Sequence, residues 1–226
     1  MVEVKLDISN NVYGSLYQKY GVDERSLGWT KNKQDIRFEQ LLRYIEDKKK
    51  MSILDVGCGF GDLYQYIKDY RNVPEVEYYG IDILESFVEV AKQNHEDIKE
   101  KIQCCALSDL SPEPSYDWVV ECGIFAVNVA GTEEDMYSYI AETMKKAFEM
   151  SKEGISFYFL SDKVDYKTPN SFHARPEKIL EMAYQLSRRV ILDNSVMPFE
   201  YCITIWKNDK FAVETTVYDS YYQKNS

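Results

Sequence analysis

The sequence has little of several things that define whole classes of protein. Its 226 residues include only two histidines, so a His-based metal site is not expected, and no metal is predicted. No pair of its five cysteines has the C-x-x-C spacing. No apolar run reaches the ~18 residues that would cross a bilayer, and residues 1–30 lack the apolar core of a secretory signal. We therefore expect a cytoplasmic chain without a membrane span, whose reduced cysteines pack as small core residues.

Positive charge is also scarce. There are 27 basic and 38 acidic side chains, which gives a formal net charge of −11. An acidic chain does not attract phosphate backbones at long range, so nucleic acid is not expected as a partner. The basic run Lys48–Lys50 follows a predicted helix over Ile36–Glu46, where cations complement the negative end of the helix dipole. A small-molecule substrate is expected instead.

The most informative feature that is present is a glycine-rich turn between a predicted strand and a predicted helix. The aliphatic run Ile53–Val56 leads into Gly57, Gly59 and Gly61, and Asp62–Tyr70 is typical of a helix. Glycine suits such a turn because it adopts positive φ angles and lets a ligand approach the backbone. The helix start adds unpaired N–H groups and the positive end of a dipole. The pattern predicts a ligand-binding turn, with an ordinary tight β–α turn as the alternative.

The residues around these glycines indicate which ligand the turn binds. The G-x-G-x-G loop is one residue tighter than the dinucleotide pattern G-x-G-x-x-G, and it lacks the Lys that ends a P-loop. Asp55 stands two residues before Gly57, where a carboxylate would repel a pyrophosphate. The same carboxylate would attract a ligand that carries an ammonium or sulfonium group.

The pattern D-x-G-x-G-x-G resembles the signature of S-adenosylmethionine (SAM)-dependent methyltransferases of the Rossmann-like class. The resemblance covers roughly residues 30–207 and is strongest over residues 51–125. It implies that SAM is the cofactor. It also implies that the turn holds SAM through Asp55, Gly57, Cys58, Gly59 and Gly61.

A second acid lies at the end of the next predicted strand. The run Val76–Asp82 ends in a carboxylate about two dozen residues beyond the glycines, and Leu84–Gln93 is predicted to be a helix. An acid at this strand end can accept hydrogen bonds from both ribose hydroxyls, so Asp82 and its neighbour Ile83 are predicted cofactor contacts. The alternative for Asp82 is a helix N-cap.

Two further strands continue the resemblance. After the predicted strand Ile102–Cys105, the family often carries Gly-Asp-Ala-x-Asp-Leu around the adenine. Here Ala106 replaces the first acid, so the backbone amides of Ala106 and Leu107 are the expected adenine contacts. The predicted strand Tyr116–Phe125 matches the segment that passes beside the sulfonium in the family, which places Glu121 near the cofactor. It lacks the proline-braced clamp of enzymes that methylate the amines of DNA bases.

The acceptor is expected to approach from insertions at residues 10–35, 124–134 and 161–175. Tyr13 and Tyr17 in the first insertion either form a lid or simply pack on the surface. Trp29 and the residues after it resemble the start of a bacterial small-molecule subgroup, in which Arg37 would hold the SAM carboxylate; a solvated helix charge is the alternative. An oxygen acceptor needs a general base. The candidate substrate contacts and bases are Tyr13, Tyr17, Phe125, Arg175 for an anionic group, and His173 or Glu121 as the base.

The order of segments predicts an α/β fold with a doubly wound, mostly parallel sheet. With the resemblance, this becomes a Rossmann-like seven-stranded sheet that ends in a C-terminal antiparallel strand. One domain is expected over residues 1–226, with a cap segment at 1–35, a core at 36–207 and a tail at 208–226. The predicted activity is methyl transfer to O or N of a small metabolite, with an anionic metabolite or a sugar or capsule intermediate as candidates. An NAD-type oxidoreductase and a non-catalytic partner subunit are the alternatives.

Overall fold

The computed structural model describes residues 6–29, 33–113, 115–168 and 170–208, with side chains from residue 8 onward. The strands are β1 (Lys50–Val56), β2 (Glu75–Asp82), β3 (Ile102–Cys104), β4 (Tyr116–Cys122), β5 (Ser151–Leu160), β6 (Val190–Asp193) and β7 (Glu200–Trp206). The α-helices are α1 (Leu6–Tyr20), α2 (Gln34–Leu42), α3 (Asp62–Tyr70), α4 (Glu85–Asn94), α5 (Glu133–Met150) and α6 (Pro176–Leu186). Short 3₁₀ helices cover Glu24–Leu27, Lys99–Lys101 and Leu107–Asp109.

The seven strands form one sheet in the order β3-β2-β1-β4-β5-β7-β6. β7 runs antiparallel to β5 and to β6, and the other neighbouring pairs are parallel. This confirms the predicted Rossmann-like, mostly parallel sheet with its antiparallel C-terminal strand. Val56 at the end of β1 pairs with Ile81 on one side and Glu121 on the other. The carboxyl ends of β1, β2 and β4 therefore meet at one edge of the sheet.

Alternate residues of the central strand pack into the two layers of the core. Leu54 and Val56 of β1 join the apolar cluster under α5 and α6, whereas Met51 and Ile53 join the cluster under α2, α3 and α4. All of β1 beyond Lys50 is buried, as expected for a parallel strand with both faces covered. Helix α5 contributes side chains at spacings of three to four residues, which places one face on the sheet: Met136, Ile140, Met144 and Ala147.

The N-terminal segment differs from its prediction. The sequence shows no strong periodicity there, yet the segment contains helix α1 and the 3₁₀ turn Glu24–Leu27. Its helix is mostly polar, and its few apolar side chains, such as Ile8 and Val12, are partly buried against the main core. Tertiary packing therefore decides the structure here, because the local pattern is weak.

Two other boundaries are corrected. β4 ends at Cys122 and not at Phe125, since Gly123 takes a φ of +115° that breaks the strand. α2 covers Gln34–Leu42 and does not extend to Glu46. Almost all of the predicted tail lies outside the described residues. In the whole described part of the chain, no helix combines the length and the apolar character of a membrane span.

Candidate active site

A tight turn between β1 and α3 forms the floor of the site. The N–H groups of Gly57 and Cys58 both donate to the carbonyl of Ile81, at 2.8 and 3.0 Å, which fixes the turn against the end of β2. Gly57 has a φ of +80°, and a Cβ added there would lie 2.3 Å from the Ile124 side chain. Glycine is therefore required at this position both by the backbone angle and by the space available. Gly57, Cys58 and Gly59 also line the cavity described below.

Asp82 is bonded to this turn. Its carboxylate accepts from the N–H groups of Gly59 at 3.0 Å and of Leu84 at 2.9 Å. Burial raises the pKa of Asp82, and the backbone donors oppose that rise. The alternative prediction of a helix N-cap is wrong, because the N-cap of α4 is Leu84. Asp82 lines the cavity described next, and its contact with the ribose stays a prediction.

Asp55 lies beside the same turn and is buried. The Tyr78 hydroxyl donates to it at 2.6 Å. Burial raises the pKa of Asp55 to about 7; the Tyr78 hydrogen bond lowers it, and the nearby charges of Asp82 and Asp62 raise it further. A cationic group beside Asp55 would favour its ionised form. The two strand-end acids thus make this edge suited to a positively charged ligand.

A cavity of about 730 Å³ opens over the turn and runs from the N-terminal segment to α5. On the sheet edge it is lined by Asp55, Gly57, Cys58, Gly59, Asp82, Ile83, Leu84, Cys122, Gly123 and Ile124, with Ala106 and Leu107 beyond β3. The N-terminal segment contributes Ser9, Tyr13, Leu27, Trp29, Gln34 and Phe38. Helix α5 contributes Tyr139, Glu142, Thr143, Lys145, Lys146 and Glu149.

Three predicted cofactor contacts lie outside this lining. Gly61 is the N-cap of α3. Arg37 is 4% exposed, and its guanidinium donates to Glu200 at 2.6 Å and to the Tyr158 hydroxyl at 2.9 Å. Its charge is therefore engaged within the protein and does not line the cavity. This placement of Arg37 fits neither of the two predictions, which were contact with the SAM carboxylate and a solvent-exposed charge on the helix.

Glu121 is the third predicted cofactor contact that lies outside the cavity lining. It is fully buried, and its Oε1 accepts from the N–H of Ile124 at 2.5 Å, which closes the turn after β4. Its Oε2 has no hydrogen-bond partner among the described residues. Burial raises the pKa of this carboxyl well above its usual value, against three backbone donors that lower it. The geometry gives Glu121 a structural contact below the cavity floor.

The predicted substrate contacts separate into two groups. Tyr13 lines the cavity, and its hydroxyl donates to the carbonyl of Gly123 at 3.4 Å. Tyr17 instead packs edge-on against Phe87, and Phe125 lies in the core with its ring stacked 5.3 Å from that of Phe159. These two side chains do not line the cavity.

His173 and Arg175 also lie outside the cavity lining. Nδ1 of His173 is 2.8 Å from the Ser161 carbonyl, so in the neutral ring this nitrogen carries the proton and donates. Its Nε2 is buried without a partner in the described part of the chain. Arg175 caps α6, and its backbone N–H donates to the Tyr137 hydroxyl at 2.9 Å. The loop that carries both residues lies beyond the cavity.

Sequence reasoning missed the contribution of α5 and part of that of α2. The polar residues of α5 that line the cavity recur at spacings of three and four, so a helical projection of residues 139–149 would have shown a second stripe beside the buried one. Gln34 donates to Asp62 at 3.1 Å and links α2 to the start of α3. No sequence signal connects these two positions.

Comparison with known proteins identifies a methyltransferase domain in this chain. Residues 54–152 match the sequence model of a methyltransferase domain. The chain is 26% identical over 169 residues to Rv1506c of Mycobacterium tuberculosis H37Rv, a protein named as a methyltransferase. The match covers 74% of this chain and 99% of that protein.

Solved structures share the fold. The magnesium protoporphyrin IX methyltransferase ChlM from Synechocystis PCC 6803, with bound SAM, has a TM-score of 0.54 and 15% identity, covering 90% of this chain and 91% of its own. The DhpI–SAM–HEP complex has a TM-score of 0.61 and 12% identity, covering 90% and 98%. These two structures support the fold alone.

Fold, strand-end acids and domain match lead to one class of protein, the Rossmann-like SAM-dependent methyltransferases. Its methyltransferase domain covers residues 54–152, so this chain is such an enzyme, and its cofactor is S-adenosylmethionine. The residues present fit that group: Gly57, Cys58 and Gly59 line the cavity, and Asp55 and Asp82 supply carboxylates beside them.

Proposed function

We propose that this methyltransferase acts on an oxygen or nitrogen atom of a small metabolite, with an anionic acceptor favoured. The observation that carries the proposal is the cavity of about 730 Å³ that extends from the glycine turn to α5. Ligand pockets are typically about 300–1,000 Å³, so this one suits the cofactor together with one small partner. The net charge of −11 supports a small molecule over nucleic acid. The five free cysteines support action in the reducing cytoplasm.

The cofactor residues predicted from the sequence would each contact a different part of SAM. SAM, when bound, supplies a methyl group already activated by a positively charged sulfur. Asp82 would accept from the ribose hydroxyls, and the backbone of Gly57 and Gly59 would approach the amino-acid end. Ala106 and Leu107 would contact the adenine. Because the leaving group is activated, holding the acceptor in line accounts for most of the remaining catalysis.

Cations support the anionic acceptor. Lys145 and Lys146 are the two cationic side chains among the described residues of the cavity lining, and both lie on α5. Lys145 is exposed, while Nζ of Lys146 donates to the carbonyl of Ser108 at 2.6 Å, which holds it at the rim. An anionic group could pair with these ammonium groups at the rim.

The titratable groups near the end of β4 support an acceptor that needs no base. Burial raises the pKa of Tyr13, with the charges of Asp82 and Glu121 adding to the rise. Burial also raises the pKa of the Cys122 thiol. Both groups therefore keep their protons near neutral pH and would not act as general bases there. A carboxylate oxygen is already ionised and fits this surrounding better than an alcohol does.

Release of S-adenosylhomocysteine (SAH) from SAM tests the proposal. We expect turnover with small carboxylates from a panel that also contains amines and matched sugars, such as glucuronate beside glucose. Replacing both lysines (Lys145→Gln with Lys146→Gln) should raise KM for anionic acceptors only. Lys152→Gln, on β5 and outside the cavity lining, is the control. Turnover of neutral acceptors alone would refute the anionic preference, and SAM binding without any turnover would favour a non-catalytic subunit.

A further inference from the structure

One aromatic side chain covers the end of β4. Trp29 lines the cavity, and its ring lies so close to Gly123 that a Cβ added there would come within 2.8 Å of Cζ2 and 2.9 Å of Cη2. Gly123 directly follows β4, on the strand edge beside the glycine turn. The indole therefore forms the cavity wall at the point where β4 ends.

A buried cation holds this ring in place. The Arg37 guanidinium carbon lies 4.5 Å from the centroid of the Trp29 ring, and the Tyr158 ring meets the indole edge-on at 6.0 Å. Cation–π contacts of this kind strengthen when the cation is desolvated, and Arg37 is 4% exposed. Arg37 thus fixes the orientation of the ring as well as its position.

The Arg37 guanidinium is itself held by hydrogen bonds, including one to a residue that is distant along the chain. Arg37 donates to Glu200 at the start of β7, to Tyr158 in β5 and to the carbonyl of Lys33 at 3.2 Å. Glu200 is 7% exposed, and its second oxygen has no partner among the described residues. A buried ion pair is costly to desolvate and is weak evidence for stability by itself. Its contacts here connect two strands of the sheet to one side chain of the cavity wall.

We infer that Trp29 selects the acceptor of the proposed reaction, favouring a planar unsaturated ring, and that Arg37 is the positioning residue that holds Trp29 for this purpose. The inference rests on the proposed function and adds to it the shape of the acceptor. A flat ring gains offset-stacked or edge-to-face contact with an indole that a saturated ring of equal size does not. Because Arg37 acts through Trp29, removing either should have the same effect on selectivity.

Benzoate and cyclohexanecarboxylate make a matched pair of probes, since both are monoanions of similar size and only benzoate is planar. We would measure their affinities for the SAH-loaded protein by saturation-transfer NMR titration. Benzoate should bind about fivefold more tightly, as an aromatic contact of ordinary strength implies. Trp29→Leu should remove this preference and leave SAH affinity within about twofold.

The positioning role needs its own variants. Arg37→Met alone leaves Glu200 buried and unpaired, so the double variant R37M/E200Q removes both charges and keeps the fold testable by thermal melting. It should lose the benzoate preference as Trp29→Leu does. The control is Arg189→Met, because Arg189 lies 4.6 Å from the centroid of the Trp206 ring, outside the cavity lining. That variant should keep the preference.

Several results would overturn the inference: equal affinity of the wild-type protein for the two acids, no binding of either, or a preference unchanged in R37M/E200Q. A large loss of SAH affinity in Trp29→Leu would also overturn it, because the ring would then belong to the cofactor site. Failure of the wild-type protein to bind SAH would instead count against the proposed function. The two failures are thus distinguishable.

Discussion

The carboxylate of Asp82 accepts a hydrogen bond of 3.0 Å from the backbone N–H of Gly59, so the end of β2 and the glycine turn are one unit. Asp82→Ala should therefore disturb the turn as well as remove the proposed ribose contact. We expect SAH affinity to fall by about 10- to 150-fold, because hydrogen bonds to charged groups contribute about 1.5–3 kcal/mol. Calorimetric titration measures this loss.

Asp117 provides a matched control for that variant. It accepts a backbone hydrogen bond of 2.7 Å from Ser52, and it lies at the start of β4, outside the cavity lining. Asp117→Ala should lower stability and leave SAH affinity unchanged. Equal losses of affinity in the two variants would mean that Asp82 has no specific role in binding.

Asp55 predicts the pH dependence of cofactor binding. Its pKa in the empty protein is raised to about 7, mainly by burial, and a cationic ligand favours the ionised form. SAM affinity should therefore fall as pH decreases below 7, by up to about tenfold per unit. Titration in two buffers of different ionisation enthalpy should show a proton released on binding at pH 6. Asp55→Asn should abolish both effects, and a wild-type affinity that is flat from pH 5.5 to 7 would contradict the assignment.

Asp55 also affects stability. Since its pKa in the folded protein is raised above the ordinary value of 3.8, the folded state holds a proton that the unfolded chain releases between about pH 4 and 7. Stability from this group is lost as pH rises through that window. Asp55→Asn should therefore stabilise the empty protein at pH 8 relative to wild type, and less so at pH 4. Thermal melts across this range measure the difference, and a parallel shift at all pH values would be inconsistent with a raised pKa.

Glu121 can be assigned by two substitutions. Glu121→Gln keeps an acceptor for the Ile124 N–H without a charge that would be costly to bury, so we expect wild-type stability or better at pH 8. Glu121→Ala leaves that donor unsatisfied and should cost about 1–3 kcal/mol in the free energy of unfolding. Denaturant unfolding measures both. A Glu121→Gln protein that is stable and binds SAH but has lost turnover would restore the predicted role as a base.

His173 remains a predicted general base, and its position outside the cavity lining favours a structural role. His173→Ala removes the 2.8 Å hydrogen bond to the Ser161 carbonyl, which should cost about 1 kcal/mol of stability. We expect turnover and SAH affinity close to those of the wild-type protein. A fall in turnover of about 100-fold or more at unchanged SAH affinity would instead support general-base catalysis.

The parts of the site that could be predicted are the local ones. The glycine turn and Asp55 lie within seven consecutive residues, and Asp82 ends a strand whose pattern is clear from the sequence. Parallel pairing then brings these positions to one edge without further information, since the carboxyl ends of such strands coincide.

The parts that could not be predicted depend on distant partners. Arg37 meets Glu200, which lies 163 residues away along the chain, and no local pattern reveals that pairing. Helix α1 depends on packing against the core more than on its own periodicity. The sequence predicts His173 and Arg175 near the acceptor because their loop follows β5, but neither residue lines the cavity.

The central claim is that the turn at Gly57–Gly59, with Asp55 and Asp82, binds SAM. Calorimetric titration of the purified protein with SAH and, separately, with NADH tests this most directly. We predict saturable one-to-one binding of SAH in the micromolar range, about −8 kcal/mol, and no heat from NADH. Saturable binding of NADH with no response to SAH would contradict the account.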